Sequence, residues 1–420
     1  MRNRGAAVLA IAGLTLAAGS AHALGARTAN KRRASLAALH AAAIPPWARK
    51  YNVNCRFCHY PTVPRLNATG LAFKWAGYRT PDEIGKSAEV KKMEDYVGAR
   101  GIAEYRYTKT ERVAADTNTL NLPSASLFLG GALGKNFGTF LEFERTPDAA
   151  IDLVGMFTGV WGKENGFGGV RVGQGHMIVG GAVAGFDRPT GILAPLPLES
   201  PATPGVPFSF TGDVAGAEAF YVLGGMNRAS VEYVNGLAPG EGGMEVATTA
   251  TTHDWVLTDQ FVWDDAGLGL AAVGYFGSVR GLDPAQPDLR SKYQRLGLTG
   301  NKFIGPFEAQ AGYVYSNNST LPSGSSDSMF QSASVSGNGY WLYGGYTTRP
   351  SYLTVYGRYD TLDPNRSMSA DALHRVVVGS VLPVNVPEYL RLGLEYFIET
   401  SQASGAPKRQ GVTGQIHIAF

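Results

Sequence analysis

From Ile102 onward the chain alternates apolar and polar residues in short runs, each closed by Gly, Pro, Asn or Asp. A period of two marks a strand with one apolar face. Such runs begin near Ile102, Ala125, Asn136, Ile151, Phe167, Ala217, Arg228, Asp254, Ala266, Ser291, Gly305, Asn338, Ser351, Leu373, Glu388 and Gly411, which predicts about sixteen strands. In one of them Leu390, Leu392, Leu394, Tyr396 and Ile398 share a face, and Arg391, Gly393, Glu395 and Glu399 share the other. That is the pattern of a strand with lipid outside and a polar lumen inside.

The connections alternate as well. Short turns are predicted around Lys135, Asn227, Asp264-Asp265, Asn301-Lys302, Arg349-Pro350 and Pro383. Long links are predicted at Val183–Gly216, Leu237–His253, Asn317–Gly337 and Leu362–Asp371. Outer-membrane barrels have short periplasmic turns and longer outer loops, and an even strand count returns the C-terminus to the periplasm. The last run, Gln415 to Phe420, ends on an aromatic residue, which resembles the sorting signal of bacterial outer-membrane proteins. The expected fold is all-β: a transmembrane barrel of about sixteen antiparallel strands over 102–420, wide enough for a water-filled channel. The competing soluble sandwich or propeller accounts for neither the loop alternation nor the terminal Phe.

Composition agrees. There are 54 Gly, and Tyr and Phe together number 39, while charged residues are only 17 % and the net charge is +3. The balance gives no nucleic-acid footprint. Arg2 and Arg4, the apolar stretch Ala6–Ala18 and Ala21-His22-Ala23 read as a signal peptide over 1–23, too short to anchor a membrane. The stretch 24–101 differs in texture, with a helix expected near Ala34–Ala43 and a polar helical stretch near Glu83–Tyr96. Pro45, Pro46, Pro61 and Pro64 keep the chain extended between them.

Within that stretch stands Cys55-Arg56-Phe57-Cys58-His59, which holds both cysteines of the chain. C-x-x-C-H is the attachment signature of a c-type haem. Two intervening residues let both sulfurs reach one edge of the porphyrin, and the next residue ligates the iron. A thioredoxin-like pair would need a βαβ context, and a zinc site would need two further ligands where no further Cys exists. The motif thus predicts one covalent haem on Cys55 and Cys58, with His59 as proximal ligand. A region this small would have the haem as much of its core.

The motif sits in a longer pattern: Ile44-Pro45-Pro46-Trp47-Ala48-Arg49, then Pro64-Arg65-Leu66-Asn67, Gly70, Phe73-Lys74 and Gly77-Tyr78. This resembles the fused outer-membrane monohaem cytochrome–porins of iron-oxidising bacteria. The resemblance is specific over Ile44–Tyr78 and only architectural over the barrel. It implies electron transfer through the outer membrane, from extracellular Fe(II) or another reduced donor, through the haem, to a periplasmic cytochrome c. That would be an Fe(II)-oxidising activity of the iron:cytochrome type. Trp47, Leu66, Phe73 and Tyr78 are candidates to pack on the porphyrin or simply to form core. The expected arrangement has the haem domain, 24–101, in the barrel lumen as a plug or on its periplasmic side. Two alternatives stand: outward electron export, and a transport porin whose haem domain is a plug or sensor.

The distal ligand is open at this level. Met93 and His40 are the named candidates, although Val90, Met93 and Val97 are spaced as packing residues and His40 shares a helical stripe with Leu36. His417 alternates with Ile416 and Ile418 and is expected to face the lumen; His176 is read similarly. Lys31-Arg32-Arg33 reads as a solvated run or a docking site for an acidic periplasmic partner. Gly173-Gln174-Gly175 has no phosphate-loop context and reads as strand glycine. Asp187, Asp213, Glu241 and Asp363 belong to outer loops, where carboxylates serve solubility or attract a divalent cation.

Overall fold

A computed structural model describes residues 46–60, 65–88, 92–113, 115–145, 151–175, 191–199, 214–235, 251–280, 285–322, 330–368, 370–384 and 390–419. Its strands are β1 (Val97–Thr110), β2 (Thr117–Leu133), β3 (Phe137–Arg145), β4 (Ile151–Lys163), β5 (Gly166–Gly175), β6 (Val214–Leu223) and β7 (Asn227–Asn235). β8 comes in two pieces, Thr251–Thr252 and Asp254–Trp263, both paired with β9 (Leu268–Arg280) and parted only by His253. There follow β10 (Arg290–Ile304), β11 (Phe307–Pro322), β12 (Phe330–Thr347), β13 (Thr354–Asp363), β14 (Leu373–Pro383), β15 (Leu390–Ser401) and β16 (Arg409–Ala419). Each strand pairs antiparallel with the next, and β16 pairs with β1 over Arg100–Thr110. The result is a closed sixteen-stranded barrel, which leaves no unpaired sheet edge.

The alternation read from the sequence is the alternation of the wall. Leu394 is 54 % exposed on the outside, while its neighbour Glu395 is fully buried inside. Trp161, Trp255, Leu298, Tyr313, Leu342 and Ile416 also face outward. Inward positions carry Arg, Glu, Asp, Thr and Gln. An outer apolar band and a polar lumen are what a membrane barrel requires.

Several boundaries moved. β1 begins at Val97 rather than Ile102, so the barrel starts five residues earlier. β2 and β12 begin eight residues before Ala125 and Asn338, where polar residues continue the ladder beyond the apolar band. Asn301-Lys302 lies inside β10, and the turn falls at Gly305-Pro306 instead. A strand end inside a polar stretch carries no change of pattern to mark it. Gly173 is a strand glycine of β5, as read. The helix expected near Ala34–Ala43, the signal peptide and Phe420 lie outside the described residues.

Ahead of β1, the chain forms α1 (Pro46–Tyr51), a 3-10 turn (Cys55–Phe57), α2 (Ala68–Trp75) and two further 3-10 turns, Pro81–Glu83 and Met93–Asp95. Among the described residues the polar helix expected near Glu83–Tyr96 gives way to these two turns: Pro81 and a Thr80–Glu83 capping box start the first, but the chain leaves the helical conformation at Ile84, with ψ 129°, and turns at Gly85, with φ 83°. A short helix, α3 (Leu196–Glu199), belongs to the link between β5 and β6, the third link at the long-loop end. The largest apolar cluster lies inside the barrel. It joins Leu71, Trp75 and Ala76 of the α2 region, Leu196 and Leu198 of α3, and inward residues such as Met156, Val160, Phe167 and Phe220. The lumen is therefore filled on that side.

Candidate functional site

The cysteine motif closes on itself. The Cys55 carbonyl accepts from Cys58 N at 3.2 Å and from His59 N at 2.9 Å, so both thiols and the imidazole come from one tight turn. Cys55 is buried, Cys58 half-buried, and neither is in a disulfide. Burial, and then the neighbouring Cys55, push the Cys58 thiol up to about 12. His59 forms an antiparallel bridge with Leu66, and Tyr60 N donates to the Arg65 carbonyl at 3.0 Å. Residues opposite each other in such a pair share a face, so Leu66 lies on the side of His59, and Arg65 on that of Tyr60.

Asn67 holds this turn shut. Its Nδ2 donates to the carbonyls of Arg56 and Phe57, both at 3.2 Å, the two residues between the cysteines. Its Oδ1 accepts from Gly70 N at 3.0 Å and caps α2, while its backbone N donates to Cys58 O at 2.9 Å. Gly70 is required by the same contact: a Cβ there would sit 2.2 Å from the Cys58 carbonyl oxygen. The Leu66-Asn67-x-x-Gly70 pattern is thus a clamp on the C-x-x-C-H turn.

The segment is fastened to the barrel on two sides. On one, Trp47 Nε1 donates to Gly130 O at 3.0 Å, and Trp47 stacks on Tyr78 at 5.0 Å, which stacks on Phe140 of β3 at 5.5 Å. Arg79 donates to the carbonyls of Gly134, Lys135 and Phe137 at the β2–β3 turn. The Gly77 carbonyl lies where a Cβ on Gly138 would be. On the other side, buried Arg65 pairs with Glu308 of β11, and its guanidinium lies over Tyr60 and Phe303. Tyr60 also stacks on Phe303 of β10 at 4.7 Å. Strands β3 and β11 are eight apart in a ring of sixteen, half the circumference. At ordinary strand spacing and tilt such a ring is roughly 30 Å across. The motif-bearing segment therefore bridges the lumen at its short-turn end.

The third long-loop link also folds inward. Glu395 accepts from the backbone N of Ile192 and Leu193, both at 2.8 Å. Asp360 accepts from Leu196 N at 3.2 Å, and Arg358 donates to the carbonyls of Leu193 and Ala194. Arg358 and Arg375 pair with Asp360 at 2.8 and 3.1 Å. These wall charges on β13–β15 are spent on holding Gly191–Glu199 across the barrel. On the opposite wall, β5–β7, Arg171 and Arg228 pair with Glu218, and Arg171 reaches Lys74 O at 3.5 Å.

The residues read from the sequence fall as follows. Cys55, Cys58 and His59 come together in one turn. Trp47, Phe73 and Tyr78 pack on one another and on Phe140, as an anchoring cluster on the wall. Leu66 is partly buried beside His59 and Gly70. Met93, expected as packing or distal ligand, is 65 % exposed on its 3-10 turn, beside α1 through Arg49 and Glu94 O at 2.6 Å. Its i, i+3, i+7 spacing means nothing without the helix. His417 faces the lumen, as read. Asp363 ends β13. His40, His176, Asp187, Asp213, Glu241 and Lys31-Arg32-Arg33 lie outside the described residues. Sequence reading missed the roles of Asn67, Arg65, Arg79 and Glu308; Asn67, three before Gly70 at a helix start, carried a capping signal. It also missed Met156, an inward methionine of β4 in the cluster with Leu71 and Trp75.

No family model matches the sequence, and no curated protein matches it. Solved structures do. A loop L8 deletion mutant of OmpT, an outer membrane protein of Vibrio cholerae, aligns with a TM-score of 0.52 at 13 % identity, over 76 % of this chain and 98 % of that one. In-vitro folded OmpT of Vibrio cholerae gives 0.51 at 12 %, over 77 % and 97 %. Salmonella typhi OmpF in complex with daunomycin gives 0.50 at 13 %, over 77 % and 97 %. These likenesses show the fold: a closed barrel like those of outer-membrane porins.

Proposed function

We propose that this chain is an outer-membrane electron-transfer protein. Cys55 and Cys58 hold a c-type haem as thioethers, and His59 is its proximal ligand. The supporting observation is that the C-x-x-C-H turn, clamped by Asn67, is built into the lumen by contacts to opposite walls. The donor set fits the group: two thiols outside any disulfide and an imidazole from one turn, with apolar Leu66 on the side of His59. A bound haem supplies a reversible one-electron carrier. The chain does the rest. Asn67 and Gly70 fix the turn, Arg65–Glu308 and Arg79 fix its position, and the barrel carries it across an insulating bilayer of ~30 Å. With the short turns periplasmic, extracellular Fe(II) or another reduced donor arrives from the long-loop end. Each Fe(II) gives up one electron and becomes Fe(III), and one electron passes to a periplasmic cytochrome c. No atom or proton need change hands.

The test uses purified full-length protein. Haem peroxidase staining on a denaturing gel should reveal covalent haem, and added Fe(II) should raise the reduced α-band. Absence of the stain, or a stained protein that Fe(II) leaves oxidised at every pH at which it stays folded, overturns the reading. A second reading is favoured by the likeness to porins: a transport porin with the segment as its plug. It expects steady solute conductance in planar bilayers and no reduction by Fe(II).

A further inference from the structure

Inward-facing charges occur all round the described barrel wall, but solvent reaches them unevenly. On β5–β7, the side chains of Arg171, Glu218 and Arg228 are at most 2 % exposed. On β13 and β14, Arg358, Asp360 and Arg375 are at most 4 % exposed. There the inserted third link and the α2 region occupy the lumen. On β1 and β3 the outermost charges are more open: Arg100 is 25 % exposed, Glu144 25 % and Arg106 42 %, while Glu142 at 12 % and Glu104 at 8 % lie beneath their arginine partners, as do Ser124 and Ser126 beneath Arg100. Arg100, Ser126 and Glu144 stand opposite one another in the β1–β2–β3 register, so this is one continuous strip of wall.

The strip ends on the segment's own anchor. The Arg100 guanidinium lies over Phe128 at 5.5 Å, Phe128 stacks on Phe140 at 5.8 Å, and Phe140 stacks on Tyr78. Its charges are Arg100 and Arg106 against Glu104, Glu142 and Glu144, which is 2 − 3 = −1. Such a strip favours cations, and the preference weakens as salt rises.

We propose that an aqueous lane along β1–β3 leads from the long-loop end to the motif-bearing segment, and that it admits small hydrated cations and excludes proteins. The lane stands on geometry alone; that its traveller is the electron donor rests on the proposed function. The donor class then narrows to a small ion, because a protein cannot pass the inserted third link.

The test is cysteine accessibility in full-length protein in cells, with a cationic, membrane-impermeant thiosulfonate as probe. Arg106→Cys and, as a second lane position, Glu144→Cys are compared with Ser316→Cys on β11, which is fully buried. Wild type sets the background. The lane variants should label and Ser316→Cys should not. A bulky label in the lane should slow reduction by Fe(II) roughly tenfold, a barrier of about 1.4 kcal/mol, with haem staining unchanged. The lane is overturned if both lane variants resist labelling while keeping the heat-modifiable mobility of a folded barrel, or if Ser316→Cys labels equally. Labelling without covalent haem in wild type would keep the lane and sink the proposed function. Labelling that leaves Fe(II) reduction unchanged would overturn the donor route alone.

Discussion

Removing the Asn67 side chain tests whether the cysteine turn is held by one residue. Asn67→Ala deletes the α2 cap to Gly70 N and both donations to Arg56 O and Phe57 O. Loss of such a cap costs about 1 kcal/mol. Each half-buried carbonyl that loses its donor adds about 0.5–1.5 kcal/mol. Together these come to about 2–4 kcal/mol of local stability, or roughly 30- to 1000-fold in the opening equilibrium of the turn. The barrel would mask this in a global melt, so the assay is local. Hydrogen exchange should quicken at Cys58, His59, Gly70 and Leu71, and stay unchanged in the β14–β15 ladder. Asn67→Asp keeps the oxygen that caps α2 and loses the two donors, so it should restore protection at Gly70 and not at Cys58-His59. If Asn67→Ala leaves exchange at Cys58 and His59 at the wild-type rate, the turn is held by something else.

Gly138→Ala should loosen the segment without breaking the barrel, since its Cβ would lie 1.9 Å from the Gly77 carbonyl; protease should then cut within 46–88 while heat-modifiable mobility persists. Met93→Ala should leave the haem reduction potential and absorption bands unchanged, because its side chain is largely solvated; a shifted potential would restore it as a ligand. In haem-free protein the Cys58 thiol, raised from 9.0 to about 12, should resist iodoacetamide at neutral pH. By linkage the stability from keeping that thiol neutral is fully present below about pH 9 and is lost as the pH rises toward 12.

Much of the barrel was legible in the chain because its strands obey one local rule. A lipid-facing position must be apolar and the next must suit a lumen, so sixteen runs announced sixteen strands. The Cys55–His59 turn was legible for a similar reason: it is confined to five adjacent residues. The helix at Glu83–Tyr96 was misread because its capping signal and spacing do not reveal that the chain leaves the helical conformation at Ile84 and Gly85, directly after the cap. With that helix gone, Met93 lost its assigned packing role.

What the sequence determined by itself is what depends on neighbours along the chain: strand alternation, turn residues and the cysteine turn. What only the tertiary structure decided is what depends on neighbours across the lumen. Arg65 meets Glu308 from 243 residues away, and Ile192 meets Glu395 from 203. No local pattern encodes such pairs, because closing the barrel is what brings them together. The same closure determines which inward charges are buried against the inserted third link and the α2 region and which, like Arg106, stay in water.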